Sequence, residues 1–149
     1  MTEKKYPRVG VGAVVLDEKN RILLQLRNKP PEEGHWSIPG GRVEFMEKLE
    51  DAIVRELKEE LGIDVIVEDM LRVTDHIVPA DNAHWVSPAF LVRVVGGQAE
   101  NLEPEATRRV EWFPLDALPD KLTITTRSAV EAYFKKYGSA NLGNVPQLP

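Results

Sequence analysis

Short apolar runs separated by polar turns dominate the first third of the chain. Residues 9–16 carry branched side chains interleaved with Gly10 and Gly12 and predict a strand. Residues 17–20 (Asp-Glu-Lys-Asn) predict a turn, and residues 21–26 a second strand, so the pair reads as a hairpin. Residues 27–34, with Pro30-Pro31, form a surface loop leading into His35-Trp36-Ser37-Ile38-Pro39. The period then changes. Leu49, Ile53, Leu57 and Leu61 recur every four residues and predict an amphipathic helix over 47–61. Two short strands, 65–71 and 73–78, precede a turn at Asp81-Asn82, and a long strand at 85–95 ends on Gly96-Gly97. A polar, acidic stretch at 98–107 leads to a strand at 110–113 and a short helical turn at 115–118. An amphipathic helix over 126–137, stopped by Gly138, leaves an Asn-, Gly- and Pro-rich tail from about 139 that reads as loop. Mixed strands with two helices predict an α+β layered architecture, in one domain spanning 1–149.

The helix over 47–61 carries more than a core stripe. At about 100° per residue, Glu56, Glu59 and Glu60 share an arc of roughly 100°, and Glu60 falls at the edge of the apolar face. Three like charges, one of them half buried, repel one another and lose hydration. A cation among them relieves both costs, and hard divalent ions such as Mg²⁺ bind through carboxylate oxygens. Most glutamate runs are solvated helix faces, so the flanks decide. Before the helix, Pro39-Gly40-Gly41 predicts a tight turn with positive φ that lets backbone approach a ligand. After it, Gly62 predicts a left-handed cap.

Composition narrows the partners. At 149 residues, 42% hydrophobic and 29% charged, the chain is an ordinary globular protein. A net charge of −5 argues against a general binder of duplex nucleic acid. Cysteine is absent, which removes disulfides and thiolate metal sites. The first six residues lack the apolar run of a signal peptide, and no stretch approaches a membrane span, so the expectation is a cytoplasmic protein without membrane contact. Three histidines without metal-ligand spacing argue against a zinc site.

Residues 41–63 read G-x5-E-x7-R-E-U-x-E-E-x-G-U with U aliphatic, through Gly41, Glu47, Arg55, Glu56, Leu57, Glu59, Glu60, Gly62 and Ile63. This resembles the signature of the Nudix hydrolases without one departure. The resemblance implies a Nudix fold, a mixed β-sheet sandwiched between α-helices. It implies metal ligation by Glu56, Glu59, Glu60 and the backbone carbonyl of Gly40, with Mg²⁺ as the ion and Mn²⁺ as a substitute. Which glutamate acts as general base varies across the family, so Glu56, Glu59 and Arg55 are the candidate catalytic residues. Arg55 would hold a carboxylate in position. Gly41, Glu47 and Gly62 are structural, Glu47 as a carboxylate opening the helix at the positive end of its dipole. Many relatives add a carboxylate from the loop after the central strand, and Glu105 is favoured here over Glu103.

Outside that box, Asn101-Leu102-Glu103-Pro104-Glu105 and the run from Glu111 to Pro119 resemble compact nucleoside-triphosphate diphosphatases. The expected reaction splits a (d)NTP or modified nucleotide into monophosphate and pyrophosphate. The alternatives are cleavage of a nucleoside diphosphate sugar, of the ADP-ribose or GDP-mannose type, and a non-catalytic nucleotide sensor, which the intact set of box carboxylates disfavours. Relatives also admit a homodimer, though the sequence does not fix the oligomeric state. Arg27, Trp36 and His84 are the candidate substrate-binding residues, with Trp36 able to stack on a base and Trp85 and Phe90 read as packing. The loops around 28–36, 76–86 and 98–107 are expected to choose the substrate.

Overall fold

The computed structural model describes residues 5–138; the expected tail from about 139 lies outside the described residues. Seven strands and two helices follow in the order β1 (Arg8–Val15), β2 (Arg21–Arg27), β3 (Trp36–Ser37), β4 (Gly40–Arg42), α1 (Leu49–Leu61), β5 (Asp64–Val78), β6 (Ala83–Gly96), β7 (Thr107–Pro114) and α2 (Ile124–Tyr137). They form two sheets, β4-β1-β6-β5 and β3-β2-β7. The β1–β6 pair is parallel, and the other ladders are antiparallel. No described helix is long and apolar enough to cross a membrane.

The first correction concerns the opening strands. They make no hairpin: one isolated bridge, Leu16 to Ile22, joins them before they part into different sheets. Asp17 bends the chain there, accepting from the backbone N–H of Lys19 and Arg21 and pairing with the Arg21 guanidinium at 2.7 Å. Apolar alternation marks both strands but carries no record of which neighbour each will find. The two short strands expected at 65–71 and 73–78 are one 15-residue strand, β5, whose bulged register against β6 breaks the alternation. The expected helical turn at 115–118 is a plain turn closed by Ala117 N–H to Pro114 O.

Each helix has its own core. Ala52, Ile53, Leu57 and Leu61 of α1 pack onto Val11, Ala13 and Val15 of β1, Leu23 of β2, and Phe90 and Val92 of β6. Burying each large aliphatic side chain contributes about 1.5–3 kcal/mol. Ala129, Val130 and Tyr133 of α2 close the second core over Val14, Ile22, Leu24 and Ile38. Leu49, expected in the stripe, is 39% exposed because α1 begins there rather than at Glu47. The C-terminal cap is as expected: Gly62 is left-handed (φ 72) and donates to Lys58 O.

Candidate functional site

Strands β1 and β4 form one wall of a cleft of about 270 Å³, reaching from the C-terminal turn of α1 to the N-terminus of α2. Glu60 and Glu103 line one part of it, beside Gly40 and Gly41; Arg27, Lys29, Glu32, His76 and Trp85 line others.

The glycines before the helix are needed for space. Neither Gly40 nor Gly41 has positive φ, so the expected strained turn is absent; both pair in β4 against β1. A Cβ on Gly40 would collide with the Val11 carbonyl, and one on Gly41 with the Glu56 carboxylate. Glycine at 41 thereby lets α1 bring Glu56 directly against β4.

Arg55 organises the exposed side of the cluster. Its Nε and Nη2 donate to the two carboxylate oxygens of Glu47 at 2.7 and 2.8 Å. Nη1 reaches Glu56 at 2.9 Å and Glu59 at 3.3 Å, and Nη2 also donates to the Arg42 carbonyl. The hydrogen bonds from Arg55 hold the Glu47 carboxyl down at about 2, and the same contacts push the Arg55 guanidinium above its ordinary range. Glu47 lies before the helix, whose N-cap is Lys48. It therefore does not open the helix, a correction to the expected placement, and its carboxylate pairs with Arg55.

Glu60 is the buried member, 8% exposed. Burial pushes its carboxyl well above the usual range, and the charges of Glu56 and Glu103 add to that, while a hydrogen bond from Gln25 opposes it. Gln25, equally buried on β2, donates to Glu60 Oε2 at 3.1 Å. The sequence reading missed Gln25. Its signal is a lone polar residue inside the apolar run Ile22-Leu23-Leu24-Gln25-Leu26.

The loop carboxylate that joins the cluster is Glu103, not the favoured Glu105. Backbone N–H groups of Glu100 and Leu102 donate to the C-terminal carbonyls of α1, at Leu61 and Glu60. This seats Glu103 in the cleft, where burial and the charges of Glu56, Glu105 and Glu59 push its carboxyl up. Glu105 itself is exposed and outside the cleft lining.

The donors around this cluster are all hard oxygens: the carboxylates of Glu56, Glu59, Glu60 and Glu103, and backbone at Gly40. That set of oxygen donors, crowded against one buried acid, fits a divalent cation of the Mg²⁺ or Mn²⁺ type. Among the described residues no three acidic or imidazole side chains converge tightly as they stand. Arg55 bonds Glu56 and Glu59, and Gln25 bonds Glu60.

Of the expected substrate residues, only Arg27 lines the cleft, and its Nε and Nη2 donate to the carbonyls of Pro31 and Pro30. Trp36 packs edge-on against Phe113 with ring centroids 4.8 Å apart, away from the cleft lining. His84 is exposed on β6 and likewise outside it. Trp85 and His76, register partners on β6 and β5, line the cleft instead. His76 is buried and bonds Glu32 at 2.6 Å. Phe90 is core, as expected.

A family model of the NUDIX domain matches residues 6–133. The crystal structure of the MutT NUDIX hydrolase from Burkholderia pseudomallei superimposes with a TM-score of 0.78 at 43% identity, covering 85% of this chain and 98% of that one. The ADP-ribose pyrophosphatase of Methanocaldococcus jannaschii is 32% identical over 130 residues, 87% of this chain and 75% of its own. The 8-oxo-dGTP diphosphatase of Proteus vulgaris is 37% identical over 93 residues, 62% of this chain and 80% of its own. With the box, the two-sheet fold and these matches in agreement, the chain belongs to the NUDIX hydrolase family.

Proposed function

We propose that this protein is a Mg²⁺-dependent nucleotide diphosphatase that splits a (d)NTP or modified nucleotide into a monophosphate and pyrophosphate. The observation that carries the reading is the buried Glu60, crowded by Glu56 and Glu103 at the wall of an open cleft. Glu56, Glu59 and Glu60, with the Gly40 carbonyl, are the proposed ligands, and Glu103 replaces Glu105 as the loop carboxylate. When bound, the divalent ion offsets phosphate charge and acidifies or orients water. Arg55 holds Glu56 and Glu59 in place, and Glu56 is the proposed acceptor of the water proton. Trp85, which lines the cleft, is the proposed base contact.

The similarity to an 8-oxo-dGTP diphosphatase supports the triphosphate reading. The similarity to an archaeal ADP-ribose pyrophosphatase supports the second, cleavage of a nucleoside diphosphate sugar. A panel of dNTPs, oxidised dNTPs, NTPs and nucleotide sugars, scored for pyrophosphate release, separates them. Turnover of triphosphates is the expected result; turnover of nucleotide sugars alone overturns it.

A further inference from the structure

Two basic side chains stand at the loop between β2 and β3, and only one is spoken for. Arg27 is consumed by the carbonyls of Pro30 and Pro31. Lys29 is exposed, lines the cleft, and has no hydrogen bond or ion pair among the described residues. Glu103 and Glu60 line the same cleft, so the ammonium and the carboxylate cluster share one opening.

The loop that carries Lys29 is fastened at both ends. Arg27 and His35 pair through backbone, and Gly34 N–H donates to Arg27 O. Glu32 ties the loop to β5, to α2 and to the turn at Asp81. Its carboxylate accepts from His76 on β5 at 2.6 Å and from the first N–H of α2 at 2.9 Å, while its own N–H donates to Asp81 at 3.2 Å. These ties fix the backbone from which Lys29 projects, so binding would order only the lysine side chain and not the loop.

Resting on the triphosphate reading, we propose that Lys29 binds the terminal phosphates of the substrate and so selects nucleoside triphosphates over nucleoside diphosphate sugars. The chemistry is a matter of charge at the far end of the chain. A triphosphate ends in an anionic phosphate that a compact ammonium binds well. A diphosphate sugar ends in neutral hydroxyls, which offer a lysine no ion pair. In an acidic protein, near four glutamates, an unpaired cation is also where a polyanion finds the least repulsion.

The test compares kcat/KM for ATP and ADP-ribose, which share a base, in wild type, Lys29→Gln and Lys29→Arg. The expected result is a ratio of ATP to ADP-ribose that falls about tenfold or more in Lys29→Gln, through KM, and recovers in Lys29→Arg. A ratio unchanged in Lys29→Gln overturns the proposal. Calorimetry with inorganic triphosphate keeps its failure apart from that of the reaction. If wild type binds triphosphate more tightly than Lys29→Gln yet cleaves no nucleotide, the reaction is wrong and the subsite stands. If it cleaves ATP while both proteins bind triphosphate equally, the reaction stands and the subsite is wrong.

Discussion

Gln25 and Glu60, on different elements and both buried, are joined by a hydrogen bond of 3.1 Å from amide to carboxylate. The carboxyl is crowded by Glu56 and Glu103, and the Gln25 amide donates to it. Replacing Gln25 with Leu removes that donor and lets the Glu60 carboxylate turn. Metal affinity should weaken about tenfold, since partners that orient a ligand typically matter by 10–100-fold. Mn²⁺ binding followed by electron paramagnetic resonance checks this, and unchanged affinity would show that Glu60 orients itself.

Gly41→Ala places a methyl group where the Glu56 carboxylate lies. Either α1 moves off β4 or Glu56 changes rotamer, at a cost of about 1–3 kcal/mol. The variant should melt several degrees lower and lose at least tenfold in kcat. A melting temperature and rate equal to wild type would mean the close approach of Glu56 to β4 is not required.

Glu32 gives a pH dependence with a definite sign. Burial works to raise its carboxyl, but the hydrogen bonds from His76 and Ile124 N–H outweigh it and hold the group below its ordinary value of 4.5. A carboxyl lowered on folding stabilises the native state above the unfolded value and loses that contribution as pH falls through the folded one. Glu32→Gln should therefore lower stability at pH 7 and reduce the acid loss below about 4.5 relative to wild type. Melting temperatures of both proteins from pH 7 to pH 3 test it; parallel curves would refute the tie.

Trp36 packs against Phe113, and Trp85 lines the cleft. Trp36→Leu should cost about 1–3 kcal/mol in stability, since it leaves Phe113 without its edge-on partner, and should leave KM within about twofold. Trp85→Leu should raise KM for nucleotides severalfold while kcat falls less. Steady-state kinetics beside thermal melts decide it, and the reverse pattern would restore Trp36 as the base contact.

The family, the α+β class, α1 and its buried face were legible because they depend on local spacing. Glu56, Glu59, Glu60 and Arg55 lie within two turns, so a helical wheel alone brings them together. Gly62 was legible for the same reason. What failed was long-range. Whether β1 and β2 pair, whether Glu103 or Glu105 turns inward, and which of Trp36 and Trp85 meets the cleft all depend on contacts between distant segments. The hydrogen bonds from Glu100 and Leu102 to the end of α1 settle the glutamate, and they are backbone contacts with no side-chain signature. The Glu32–His76 pair joins residues 44 apart in sequence, inside a Pro-rich loop that reads as surface.

The most direct test of the carboxylate cluster as the centre of the reaction is product analysis with Glu60→Gln beside wild type, at saturating Mg²⁺ and again in excess chelator. Wild type should convert a nucleoside triphosphate to monophosphate and pyrophosphate, lose that activity in chelator and regain it with Mg²⁺. Glu60→Gln, folded by circular dichroism, should be slower by about two orders of magnitude or more, the scale on which single groups at a reacting centre act. Cleavage that persists in chelator, or a Glu60→Gln enzyme with near-normal turnover, would contradict the account.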